Sequence, residues 1–122
     1  MLLMSSWNGS VYVTAIRGLA EPLYSYDIED MQRLLSALTR GRESKILYIK
    51  YDYYDEGEHF VRIVDQEFKV FLEKKGITSP TDEVDMVSWS DVEEFLNLCG
   101  AISLYIVEIE DGEDSATVVA YR

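Results

Sequence analysis

The sequence predicts an α+β domain: a mostly antiparallel sheet built from two αββ-like units plus an N-terminal strand, with the helices packed on one face. Three observations carry that expectation. Two segments repeat apolar residues at helical spacing, and each is followed by a β-prone run containing Leu-Tyr-Ile, at Leu47 to Ile49 and at Leu104 to Ile106. Each run then enters an acidic turn with glycine and a further β-prone run.

The elements follow in chain order. Ser10 to Arg17 sets Val11, Val13 and Ala15 against Tyr12, Thr14 and Ile16; both sides are largely apolar, which suits a central strand. Met31, Leu34, Leu35 and Leu38 form one stripe of a helix from Ile28 to Thr39. Asp27 is its N-cap, Tyr26 can staple onto Met31, Glu29 and Asp30 suit the positive helix start, and Arg40 with Gly41 suits the end. Lys45 to Tyr53, the turn Asp55-Glu56-Gly57-Glu58 and His59 to Val64 read as a hairpin.

Asp65 to Gly76 reads as a short helix, because Phe68, Phe71 and Leu72 share a face, Asp65 can cap, and Lys74, Lys75 and Gly76 suit a C-terminus. Ile77 to Asp85 is a loop around Ser79, Pro80 and Thr81. The second strong helix, Trp89 to Cys99, buries Val92, Phe95, Leu96 and Cys99, starts at Ser88 or Ser90 and ends at Gly100. Ile102 to Ile109, Asp111-Gly112-Glu113 and Ser115 to Tyr121 form the second hairpin. The stripes of the two strong helices differ by a constant offset of 61. Helix plus hairpin is nevertheless a common arrangement, so the units at 27–64 and 88–121 are open to reading as an internal duplication or as coincidence.

A chain of 122 residues, nearly half of them hydrophobic, is expected to form a single domain over 1–122 with one core, needing neither disulfide nor structural metal. Its single cysteine excludes a disulfide framework and a multi-cysteine zinc site, and fits a reducing, cytoplasmic setting. Met1 to Ser10 lacks a basic n-region, so it is not expected to be a secretory signal, and no apolar run reaches the length of a membrane span.

The net charge of −12 is unevenly placed: residues 1–50 hold five acids against six bases, and residues 51–122 hold eighteen against five. Such asymmetry argues against direct binding of a nucleic-acid backbone, which requires a basic face. It fits either a basic protein partner or solubility alone.

No residue pattern compels catalysis, and none implies a cofactor. His59, the only histidine, follows an acidic turn but has no recognisable serine or cysteine partner. The acids around Gly57 lack calcium-loop spacing: with Gly57 at the sixth position, Tyr54 and Ile63 fall where ligands are required. No metal site is expected. The seven glycines make neither a phosphate loop nor a dinucleotide fingerprint. Cys99 lies on the apolar stripe, which predicts burial and low reactivity.

The sharper candidate is a protein-binding surface of Tyr51, Asp52, Tyr54, Asp55, Glu56 and Glu58 with Glu110, Asp111, Glu113 and Asp114. Rings beside carboxylates can grip an arginine-rich surface, the acids steering the approach and the rings supplying rigid contact area. Strand alternation would place Tyr51 and Tyr53 on the face of Leu47 and Ile49, with Tyr48 on the other.

Ser88 to Tyr121, with its amphipathic helix, apolar strand, acidic glycine turn and final strand, resembles the carboxy-terminal end of archaeal tRNA-splicing endonuclease subunits over about a quarter of the chain. That resemblance implies assembly through the final strand and its acidic loop. The family's catalytic triad is tyrosine, histidine and lysine. Here His59 lies between Tyr53 or Tyr54 and Lys69, but the surrounding family pattern is missing, so the resemblance implies at most a structural subunit.

The leading expectation is a non-catalytic acidic interaction module of the inhibitor or immunity type, docking on a basic nucleic-acid-handling protein. The alternatives are a small hydrolase or nuclease using His59, and a homo-oligomer formed through a free edge strand such as Ser115 to Tyr121.

Overall fold

Helix ends are set by local chemistry, and here each expected N-cap is made. The computed structural model describes residues 7–40, 43–77 and 83–122. Helix α1 (Ile28–Leu38) starts at a capping box in which Asp27 accepts from the Asp30 backbone and Asp30 accepts from the Asp27 backbone. Helix α2 (Gln66–Lys74) is capped by Asp65, which accepts from Phe68 N at 3.0 Å. Helix α3 (Trp89–Cys99) is capped by Ser88 and closed by Gly100 at φ 69°. After α1 the left-handed position is taken by Arg40, at φ 56°, rather than by a glycine. Residues 1–6 of the opening segment, Gly41 and most of the 77–85 loop lie outside the described residues.

The strands are β1 (Ser10–Ile16), β2 (Lys45–Tyr53), β3 (Glu58–Ile63), β4 (Glu83–Val84), β5 (Ser103–Asp111) and β6 (Asp114–Tyr121). Strand β4 falls within the segment expected to be loop. The strands form one sheet in the order β1-β5-β6-β2-β3-β4, antiparallel except for the β1–β5 pair. The α+β class and the mostly antiparallel sheet are as the sequence predicts.

Three strands are apolar on both sides, so the sheet needs cover on both. Helices α2 and α3 share a face, where Phe68, Leu72, Val92, Phe95 and Leu96 bury Leu47, Val61, Leu104 and Val119. Helix α1 covers alternate residues of the same strands: its Met31 and Leu35 pack with Ile49, Tyr51, Val107, Ile109 and Val118. The expected one-sided packing thus describes α2 and α3, while α1 adds a second layer. Fully burying a side chain such as Leu96 stabilises the fold by roughly 1.5–3 kcal/mol.

Two strand positions differ from the sequence reading. β1, expected to be central, is an edge strand whose residues are exposed or, at Ile16, half-buried. β6, expected to offer a free edge, is enclosed between β5 and β2. Pairing partners decide this, and they come from distant sequence.

A bulge between Ile46 and Tyr48 also resets the alternation in β2. Leu47 therefore joins Tyr48 in the α2–α3 layer, not Ile49, Tyr51 and Tyr53. No helix among the described residues is long and apolar enough to cross a membrane.

Candidate functional site at the joined hairpin tips

Strands β2 and β5 run in the same direction, so the β2–β3 and β5–β6 turns emerge at one end of the sheet. Each turn uses glycine where the chain must take positive φ: Gly57 at 61° and Gly112 at 61°. Between the tips, Asp52 pairs with Ser115, and Tyr54 N donates to Asp114 Oδ1 at 2.9 Å. The two acidic turns, sixty residues apart in sequence, are therefore tied together.

The loop after β1 crosses the same end. Leu23, the buried start of a 3-10 turn (Leu23–Ser25), donates its N–H to Asp111 Oδ2 at 3.0 Å. Arg17 pairs with Glu110 at 2.7 Å. A cavity of about 200 Å³ opens between Tyr24, Tyr53, Asp55, Glu56 and Asp114. The Tyr53 phenol is pushed up in pKa, first by burial, then by Tyr51 and by the carboxylates of Asp114, Glu56 and Glu58. The acids of both turns thus act on one ring.

The candidate residues divide by role. Asp52, Tyr54, Asp55, Glu56, Glu58 and Glu113 are exposed. Glu110, Asp111 and Asp114 are half-buried and engaged with Arg17, the Leu23 backbone and the Tyr54 backbone. Tyr51 does not belong to the surface: it is 6% exposed, stacked between Phe60 at 5.1 Å and Tyr53 at 5.8 Å. Its position on the Ile49 face puts it under α1. Tyr24, 76% exposed beside the tips, is the aromatic that the sequence reading missed. Its own neighbours carry no acidic turn, and only the chain path brings it there.

His59 is exposed, stands opposite Asp52 in the ladder, and lines none of the five principal cavities among the described residues. Tyr54 and Lys69 are at opposite ends of β2, because Asp65, whose carbonyl Lys69 N bonds, is itself held to Leu47 O. About 20 Å of strand separates those ends. Tyr54, His59 and Lys69 therefore do not converge. Among the described residues no three His, Cys, Asp or Glu side chains are arranged to hold a metal ion.

The chain matches no family model, no curated protein and no solved structure. The likeness of Ser88 to Tyr121 to splicing-endonuclease subunits is thus one of pattern, and the enclosed β6 has no edge to offer in assembly.

Cys99 departs from the expected burial. It ends α3 on the exposed side, its S–H directed to Leu96 O at 3.6 Å. Partial burial of the sulfur still pushes the thiol pKa up, against backbone hydrogen bonds that lower it, so thiolate chemistry is disfavoured.

Proposed function

We propose that this chain is a non-catalytic, cytoplasmic interaction module whose joined hairpin tips dock on a basic protein surface, inhibiting or sequestering a nucleic-acid-handling partner. The observation that carries the reading is the meeting of the two acidic turns through Tyr54 and Asp114, with the exposed rings of Tyr24 and Tyr54 at the same end.

Carboxylates alone give steering and solubility; exposed rings beside them add apolar contact and cation–π attraction for arginine. A tip already fixed by hydrogen bonds loses little freedom on binding. Asp55, Glu56 and Glu113 would steer the partner, while Tyr24 and Tyr54 would anchor it.

The test begins with partners captured on the immobilised full chain, followed by association kinetics at rising ionic strength. The expected partner is basic, its association rate falls steeply with salt, and the triple change Asp55→Lys, Glu56→Lys, Glu113→Lys slows association by about tenfold or more. Tyr54→Ala is expected to act on dissociation instead, weakening Kd by about tenfold or more. A neutral or acidic partner, or a rate indifferent to salt, would overturn the reading.

A further inference from the structure

Among the described residues, strand β1 is an unguarded edge. Its seven residues, Ser-Val-Tyr-Val-Thr-Ala-Ile, contain neither charge nor proline, two of the devices by which edge strands resist pairing. Large apolar side chains stand exposed on both of its faces: Val11 is 53% exposed and Val13 62% on one, Tyr12 49% on the other.

The backbone fixes which groups face outward. Ser10 N donates to Ile102 O, and in a parallel ladder alternate residues bond the same neighbour. Ser10, Tyr12, Thr14 and Ile16 therefore bond β5, and the N–H and C=O groups of Val11, Val13 and Ala15 point away from the sheet.

We infer that β1 pairs antiparallel with β1 of a second copy about a two-fold axis at Val13, joining two sheets edge to edge. This register uses every outward group: Val13 exchanges both hydrogen bonds with its symmetry mate, and Val11 exchanges both with the mate's Ala15. Moving the axis to Tyr12 or Thr14 leaves an outward residue of the strand without a strand partner.

The uncharged strand and its side-chain sizes suit a second copy. β1 brings no like charges together, and it is self-complementary in side-chain size: Val and Ala meet on one face, Tyr12 and Thr14 on the other. A two-fold axis perpendicular to the strands sends the two acidic tip ends to opposite ends of the pair. A parallel arrangement would set them side by side. Because each chain still carries −12, association should strengthen as salt screens the remaining repulsion, the reverse of tip docking.

The experiment is sedimentation or light scattering of the full chain across concentration, at about 20 mM and about 500 mM salt. The expected result is a concentration-dependent dimer, tighter at high salt. Val13→Pro removes an outward N–H that an edge strand can spare, so the monomer fold, checked by circular dichroism, should persist while the dimer is lost. Val13→Lys, which opposes two like charges at the axis, should do the same.

In a Cys99→Ser background, Val13→Cys should form a dimer disulfide under mild oxidation faster than Val11→Cys, since Val13 meets its own symmetry mate. A chain monomeric at high concentration and high salt would overturn the inference. So would a dimer that survives both Val13 variants, or one that weakens with salt. None of these outcomes bears on the hairpin tips.

Discussion

Strands β1 and β6 have almost the same chemistry and opposite fates. Ser10–Ile16 and Asp114–Tyr121 are both short, rich in Val, Ala and Thr, with one tyrosine each. Yet β6 buries Ala116, Val118, Val119, Ala120 and Tyr121, whereas β1 has no buried residue. Composition makes a strand; the number of neighbours it acquires makes it central. β6 has a hairpin partner on one side and β2 on the other, while β1 has β5 alone among the described residues.

The sharpest way to break this contrast is a charge on each strand. Val118→Asp buries an unpaired carboxylate and is expected to cost about 3–5 kcal/mol, whereas Val13→Asp should stay within about 0.5 kcal/mol. Urea denaturation at low micromolar concentration measures both. Equal losses would mean that β1 is covered in solution even when dilute.

A smaller effect probes how β6 is locked to its neighbours. Tyr121 donates its hydroxyl to Asp65 Oδ2 at 2.6 Å, and the same carboxylate caps α2. Asp65→Ala removes the cap and strands a part-buried phenol, an expected loss of about 2–3 kcal/mol by the same assay.

The lock also sets a pH dependence. Burial pushes Tyr48 up to about 12, and burial followed by the Asp65 hydrogen bond raises Tyr121. Phenols raised in the folded state leave stability intact below their unfolded value near 10, and stability falls as pH climbs from there through the folded values. Alkaline titration should therefore show tyrosinate absorbance appearing together with unfolding, and Tyr48→Phe should move that transition to higher pH. Ionisation of these rings in a still-folded chain would contradict the burial.

The mildest change tests a turn. Gly112 is the first of two turn residues and sits at φ 61°, so Gly112→Ala should cost about 1 kcal/mol without altering the ladder. Amide exchange should then quicken first at Asp111 and Asp114.

What the sequence determined by itself was local. Asp27 with Asp30, Asp65, Ser88 and Gly100 end their helices through bonds that reach at most four residues, so those limits were legible in order. Gly57 and Gly112 likewise announced their hairpins, and the list of acids named most of the tip.

Only the tertiary structure decided what depends on distant partners. It chose which strand is enclosed, and it turned Leu47 to the other face through the bulge. It also drew Tyr51 beneath α1, left Cys99 outside, brought Tyr24 to the tips and bound Tyr54 to Asp114. The physical reason is that caps and turns are satisfied within one turn of chain. Burial and strand pairing, by contrast, are settled by how many neighbours arrive from elsewhere, and a local pattern of side chains does not encode that number.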